Sequence, residues 1–234
     1  GAGLILLGSN IISVGAAYQQ SMDTARSVIS GINDGTQEAN TLFAQLEATV
    51  LRLAASTKFS STEVAEGAKF LGQAGLSVQE TMAALPAVLN LSMAGFVDLG
   101  RSAEIAADFM NAFQLRGAEV GRVVDILTKG EVVANTTLLQ LANAFSFAAP
   151  VAAAMGQSIE DTAASLSLLS NSGIKASRAG TGLAQILSGL VRDTEKTTKL
   201  IERYGSSFEA VDPQVRSVID IILEFKAVGV SAAD

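Results

Sequence analysis

The sequence contains no cysteine, no histidine and no tryptophan, and aromatic residues make up only 5% of its 234 residues. Without cysteine the chain can form neither a disulfide framework nor a thiolate metal site, so its redox compartment stays open. Without histidine it lacks the commonest general base and the commonest metal ligand. These absences argue against an enzyme. We therefore assign no catalytic, cofactor-binding or metal-binding residue and expect no cofactor.

Phosphate-binding motifs are missing as well. Gly180-Thr181-Gly182 lacks both the third glycine and the preceding strand of a dinucleotide-binding fingerprint. Lys175 and Arg178 follow the Asn171–Gly173 turn and could meet an anion, but two basic residues near a turn usually face solvent. The sequence does not predict a small-molecule site.

Positive charge is also scarce, with 16 Lys and Arg against 23 Asp and Glu and a net charge of −7. A general nucleic-acid-binding surface is therefore unlikely on composition, because such surfaces are basic. An acidic surface would let DNA pass without sticking, although most acidic proteins are simply soluble. We expect DNA to pass nearby without being specifically bound.

The first 22 residues carry no charge at all, and Asp23 is the first ionised side chain. A bilayer-spanning helix needs roughly 20 mainly apolar residues, and this run reaches that length only with polar interruptions. It also lacks the basic start of a signal peptide. Two interpretations remain. Either residues 4–17 form a helix packed against the Leu42–Leu53 helix or against the same segment of other copies, or the run is membrane-active.

A short phrase occurs twice, 81 residues apart, from Gly75 to Leu85 and from Gly156 to Leu166. In both copies the glycine predicts a helix end in the left-handed conformation. The serine two residues later predicts the N-cap of the next helix, with an acidic residue at its third position. This pattern predicts an internally duplicated helical unit.

Apolar residues recur at helical spacing along the rest of the chain, and no hairpin pattern is convincing. We predict an all-α fold, with helix ends at Lys129-Gly130 and at Ala149-Pro150 and a helix start at Asp212-Pro213. Because the chain starts with Gly1 rather than Met, we expect a piece of a longer polypeptide. The predicted segments are an apolar helix at 1–22, a helical lead-in at 23–57, the duplicated core at 58–191 and mixed-charge helices at 192–234.

Small residues interleave with the predicted apolar stripes, and the aromatic content is low. A compact monomer of this size would usually fill its core with larger side chains. This pattern predicts that the chain buries part of its apolar surface against other subunits. The small residues concerned are Ala103, Ala106, Ala107, Gly180, Gly182 and Gly189.

Several of these phrases, taken in order, resemble the core of phage tail tape-measure proteins. The resemblance covers roughly Ala17 to Ala227, and no single motif in it is as specific as a set of zinc ligands. The phrases that carry it are Phe59–Ala65, Gly75–Leu91, Ala148–Ala152, Gly156–Ala164 and Asn171–Thr181.

The resemblance implies a structural protein in the tail of a phage, prophage or tailocin. Its full length would set the tail length, and tube subunits would assemble around it. It would leave the tail ahead of the DNA. The implied partners are copies of itself and tail-tube or tail-tip proteins, in the virion and, during assembly, in the host cytoplasm. The alternative function is a membrane-active module that helps genome delivery through the host inner membrane.

Overall fold

A computed structural model shows a chain folded into helices. The structure describes residues 2–192 and 216–227, and the side chains of residues 15–190, 216–224 and 227. Within those ranges no β-strand occurs, so the predicted all-α class is confirmed. The helices are α1 Ala2–Val28, α2 Gln37–Ser56, α3 Ser61–Gln73, α4 Val78–Gly95, α5 Leu99–Ala112, α6 Val120–Val133, α7 Leu138–Ala154, α8 Ile159–Asn171, α9 Ser177–Arg192 and α10 Val218–Ala227, with a 3-10 turn at Gly117–Glu119.

The chain divides into two compact units. Unit 1 comprises residues 1–111 and 115–124, and unit 2 comprises residues 112–114 and the described residues from 125 onward. The boundary that we predicted between residues 22 and 23 falls inside α1. The predicted core at 58–191 contributes residues to both units. The four predicted segments stay a prediction.

Unit 1 is built around the contact between α1 and α3. Met22 and Ala25 on α1, and Ile29 directly after it, are fully buried. A Cβ at Gly72 of α3 would collide with Ile29 Cγ1 and would lie 3.3 Å from Ile29 Cα, so a glycine is needed where the two segments meet. The predicted N-terminal helix is confirmed. The residues from Met22 to Ile29 pack on α3, where the small Gly72 admits the Ile29 backbone. The predicted packing of residues 4–17 stays a prediction.

The turn between α1 and α2 is organised by Arg26. Its Nε donates a 3.0 Å hydrogen bond to the Ile32 carbonyl oxygen, and its guanidinium lies 4.7 Å from the centre of the Phe43 ring. Gly31 and Gly35 have φ values of +87° and +76°, which residues with a Cβ rarely adopt. The Gly, Asn and Asp residues between Ser30 and Gly35 predict a turn from the sequence, and the structure confirms it.

The two Gly-x-Ser junctions have the same local conformation. Gly75 and Gly156 have φ values of +92° and +72°. Ser77 has φ −65° and ψ 166°, Ser158 has φ −71° and ψ 161°, and each accepts a hydrogen bond from the backbone N–H three residues later. The predicted helix end and N-cap are thus confirmed at both junctions, whereas duplication of the whole unit stays a prediction.

The acidic residues behind the two caps differ in what they reach. Glu80 Oε2 accepts from the Ser77 N–H at 3.0 Å, which completes a capping box, and Glu80 Oε1 accepts from the Gly117 N–H at 3.2 Å. Asp161 is one methylene shorter and accepts from the Ser158 hydroxyl at 2.6 Å. Glu80 therefore links the start of α4 to the 3-10 turn before α6.

The pKa of Glu80 is lowered by the Ser77 backbone N–H first, then by the Ser77 hydroxyl, with a smaller contribution from the Gly117 N–H. A lowered folded pKa means that the carboxylate stabilises the protein above its unfolded pKa and that this contribution is lost as the pH falls through the folded value. We expect Glu80→Gln to cost about 1 kcal/mol at neutral pH. In urea unfolding the difference from wild type should shrink on acidification. A difference independent of pH would contradict this, and exposed Glu66→Gln is the control.

Two predicted helix ends are wrong. α6 continues three residues beyond Gly130 to Val133, and α7 passes through Pro150 to Ala154. A Cβ at Gly130 would lie 2.9 Å from Leu141 Cδ2, so this glycine serves packing rather than termination. Pro150 and Ser146, whose carbonyl loses its helical donor, are both exposed, so water can satisfy the freed carbonyl.

The helical spacing of Ala179, Leu183, Ile186 and Leu190 predicts that they form the apolar face of α9, and the observed face differs from this by one position. Ala179, Leu183 and Leu187 are buried, whereas Ile186 is 41% exposed. Further on, α10 begins at Val218 with Ser217 as its cap, since the Asp220 N–H donates to Ser217 Oγ at 3.1 Å. The predicted Asp212-Pro213 helix start and the mixed-charge stretch from 193 lie outside the described residues.

Candidate functional site

Shifted titratable groups are the usual first sign of a chemical site, and here each has a structural cause. The Ser60 hydroxyl and N–H lower the pKa of Glu63 as part of a cap, and the Thr36 N–H lowers that of Asp34 in a turn. Burial raises the pKa of Asp108, with added repulsion from Glu104. Within the described ranges, no cluster of three or more acidic side chains could hold a metal ion. None of these groups indicates catalysis.

The weak anion site considered from the sequence stays a prediction. Arg178 lies in the first turn of α9 and lines a shallow depression together with Ser177, Thr181, Gly182 and Gln185. Lys175 is half-buried in the preceding turn and is not part of that lining. The depression is thus lined by one of the two basic residues, Arg178.

Unit 2 carries an apolar groove beside α8, which we call the α8 groove. Its larger part has a volume of about 500 Å³ and lies between α6 and α8, with Ile219 of α10 at its edge. Its apolar lining includes Val133 and Leu168, which are 66% and 54% exposed. Lys129 and Glu160, of opposite sign, are the charged residues of this lining. The lining thus carries no net charge.

The groove continues on the other side of α8. A smaller part, of about 180 Å³, lies between α8, α9 and α10, and it shares Leu168 and Ile219 with the larger part. Ile186 and Ile222 line it and are 41% and 48% exposed. An exposed apolar surface of this kind can bury part of a protein partner, but its side chains offer no acid–base or nucleophilic chemistry.

Two polar side chains fix the helices that form the groove. Asn171 accepts from the Asn135 N–H at 2.8 Å and donates to the Val133 carbonyl at 3.3 Å, which ties the end of α8 to the end of α6. Gln157 donates to the Arg216 carbonyl at 2.9 Å and accepts from the Val218 N–H at 3.0 Å. Gln157 therefore holds the start of α10 beside α8.

Sequence reasoning did not find this groove. Leu168 and Ile222 lie outside the buried stripes of their helices or at the edge of them. They form one surface only because α6 and α10 lie beside α8. Gln157 offered the one local signal, since Leu76, which is buried, occupies the matching place in the first copy of the repeated phrase.

The length and apolar composition of a helix decide whether it could span a membrane. Among the helices whose side chains the structure describes, no single one is both long and apolar enough to cross a bilayer. Two bent pairs pass together by length and composition alone, namely Val78–Gly95 with Leu99–Ala112 and Gly117–Val133 with Leu138–Ala154. Core helices of a water-soluble protein meet the same criterion.

The groove alone does not indicate a function, whereas similarity to known proteins indicates the family. A family model described as phage-related minor tail protein matches residues 47–231. The tape measure protein of Pneumococcus phage Dp-1 is 34% identical over 197 residues, which are 84% of this chain and 16% of that protein. The probable tape measure protein of Escherichia phage P2 is 27% identical over 222 residues, 95% of this chain and 27% of that protein. No solved structure matches.

The chain belongs to the phage-related minor tail protein family. It is thus a structural protein of a phage tail, and the resemblance seen in its ordered phrases is confirmed. The chain spans only 16% and 27% of the length of these two relatives.

Proposed function

We propose that this chain is a module of a tape measure protein, which sets tail length and scaffolds the assembly of the tail tube and tail tip. The observation that carries this proposal is the similarity to two tape measure proteins over 84% and 95% of the chain. The protein would reside in the tail lumen or tail tip of the virion and in the host cytoplasm during assembly.

Within the longer protein, we assign to this module the role of contacting neighbouring proteins rather than the role of setting tail length. Its two units bury apolar cores around short helices, and a core of that kind spans far less distance than the same residues in one extended helix. The α8 groove provides exposed apolar surface for a neighbouring protein, and its lining carries no net charge. Length would then be measured by other parts of the full chain.

The test compares two deletions of equal length in the full-length protein, produced from the phage genome. Removing these 234 residues should abolish tail formation, because tube and tip subunits lose the surface on which they assemble. Removing an equal number of residues from a helical ruler elsewhere should leave tails that are shorter by roughly 350 Å, at about 1.5 Å per residue.

Electron micrographs of purified tails give both readouts. Tails of normal length after the first deletion would refute a role in assembly. Tails shortened in proportion by both deletions would show instead that this module is itself part of the ruler. Unchanged length after the second deletion would refute length-setting.

A further inference from the structure

The two walls of the larger part of the α8 groove are each one face of a helix. The residues that α6 contributes are Ile126, Lys129, Gly130 and Val133. α8 contributes six residues between Glu160 and Asn171, and in both helices the residues follow each other at steps of three and one. Residues three and four positions apart lie on the same side of an α-helix. From Glu160 to Asn171 the wall is about 16 Å long, which is the length of three helical turns.

The floor of the groove consists of small residues. A Cβ at Gly130 would lie 3.7 Å from Ser167 Oγ, so the two walls approach each other where both residues are small. Ala163 and Ala164 continue this floor along α8. In the first copy of the repeated phrase, the place of Ala163 is taken by the much larger Met82. Small residues between larger, exposed apolar rims leave room for the side chains of a further helix.

One charge in the lining has no counter-charge in the described part of the chain. Lys129 is exposed and takes part in none of the ion pairs found there. A helix that covers the groove removes water from the Lys129 ammonium, and this costs free energy unless the helix brings a carboxylate. The groove therefore fits a helix with an apolar face that is flanked by an acidic residue.

We propose that the α8 groove binds an amphipathic α-helix of another tail protein. Apolar residues three and four positions apart on that helix enter the groove, as in other complexes of a helix with a groove, and an Asp or Glu lies beside Lys129. A flat bilayer surface fits less well, because the small floor residues lie below the rims. This inference rests on the contact role proposed above and specifies the kind of partner.

A second copy of the chain is a poorer occupant. The incoming helix needs several large apolar side chains on one exposed face. Among the side chains that the structure describes, no helix exposes more than two large apolar residues. Where a helix has two, they are adjacent, as in Val132 and Val133, or eight positions apart, as in Leu139 and Phe147. The described helices therefore do not supply the face that the groove requires.

Filling the groove tests whether tails use it. Ala164→Trp, made in the full-length protein and produced from the phage genome, places a large side chain over the floor. Ala164 is exposed, so the buried core is left intact. The yield of tails in electron micrographs should fall on the order of tenfold or more, because a central contact of an interface is blocked.

The repeated phrase supplies the matched control. Ala83 holds the place of Ala164 in the first copy, is also exposed and helical, and lies outside the groove. Ala83→Trp should leave the yield of tails unchanged. Equal falls for the two substitutions, or a normal yield with Ala164→Trp, would overturn the proposal. Normal tails with Ala164→Trp beside lost tails after deletion of the whole module would refute the groove inference alone, whereas normal tails after the deletion would refute the proposed function.

Photo-crosslinking identifies what occupies the groove. With p-benzoylphenylalanine in place of the exposed rim residue Leu168, irradiated tails should give a crosslink to a peptide of another protein. That peptide should carry apolar residues three and four positions apart and an acidic residue beside them. A crosslink to a second copy of this chain, to another part of the same polypeptide or to lipid, or no crosslink at all, would contradict the proposal.

A charge exchange completes the test. Lys129→Glu should lower the yield of tails, because two carboxylates then face each other. Replacing the acidic residue of the crosslinked peptide with Lys should restore the yield, which a merely misfolded variant could not show. Failure of this exchange to restore the yield would show that Lys129 does not face that helix and would overturn the assigned occupant.

Discussion

Replacing Gly180 with alanine should destabilise unit 2 by about 2–3 kcal/mol, because an added methyl has no space there. α7 and α9 cross at this residue, and a Cβ would collide with the Ala144 carbonyl oxygen and would lie 2.8 Å from its carbonyl carbon. A backbone carbonyl cannot rotate away as a flexible side chain can. The two helices would therefore have to move apart. This movement would disrupt the packing of the buried residues Ala148 and Leu183.

The same helix supplies the controls. Gly182 and Gly189 are helical, and a Cβ at either would have no neighbour within 4 Å. Gly182→Ala and Gly189→Ala should each stabilise the protein by up to about 1 kcal/mol, the difference in helix propensity between the two residues. Urea unfolding followed by circular dichroism measures all three. A Gly180→Ala variant as stable as the other two would contradict the close crossing.

These three glycines show where sequence reasoning reaches its limit. All of them interrupt an apolar helix in the same way, and the sequence predicts close packing at each without distinction. Only the position of α7 separates Gly180 from the others. Gly130 and Pro150 show the same limit, since each residue tends to end a helix but lies inside one here. Gly130 is packed closely against Leu141, and at Pro150 water can solvate the exposed Ser146 carbonyl. The groove depends even more on tertiary placement, and no stripe predicted it.

Short-range features were predictable because their causes are local. The glycine ends, the serine caps and the Asp98 cap, whose Oδ1 accepts from the Arg101 N–H at 2.8 Å, depend on residues at most four positions apart. The all-α class follows from the helical period of apolar residues over long stretches. The family was recognisable because several such phrases occur in a fixed order.

The structure also changes the meaning of the small residues. Their abundance in the sequence predicts association with other subunits, but Ala103, Ala106 and Ala107 are buried inside unit 1 and Gly180 inside unit 2. Their role in the described structure is close packing of helices within each unit. The case for association therefore depends on the exposed apolar α8 groove, not on the abundance of alanine and glycine.

Gln157→Leu should release α10 from unit 2. Leucine has a similar size but leaves the Val218 N–H and the Arg216 carbonyl without the partners that Gln157 supplies. Each unsatisfied buried group costs about 1–3 kcal/mol, and α10 is a helix of only 10 residues. Hydrogen exchange should therefore accelerate in α10 well before global unfolding.

Two further substitutions make the interpretation specific. Gln185→Leu removes an exposed glutamine from α9 and should change stability by no more than about 0.5 kcal/mol.

Gln157→Glu keeps the acceptor for Val218 but turns a carboxylate toward the Arg216 carbonyl. Burial there raises the pKa of the new carboxyl group, so its protonated form, which can donate, is favoured in the folded state. Protection of α10 should then be highest at acidic pH and decline as the pH rises through that raised value. Equal exchange in α10 for wild type and Gln157→Leu would show that other contacts hold this helix.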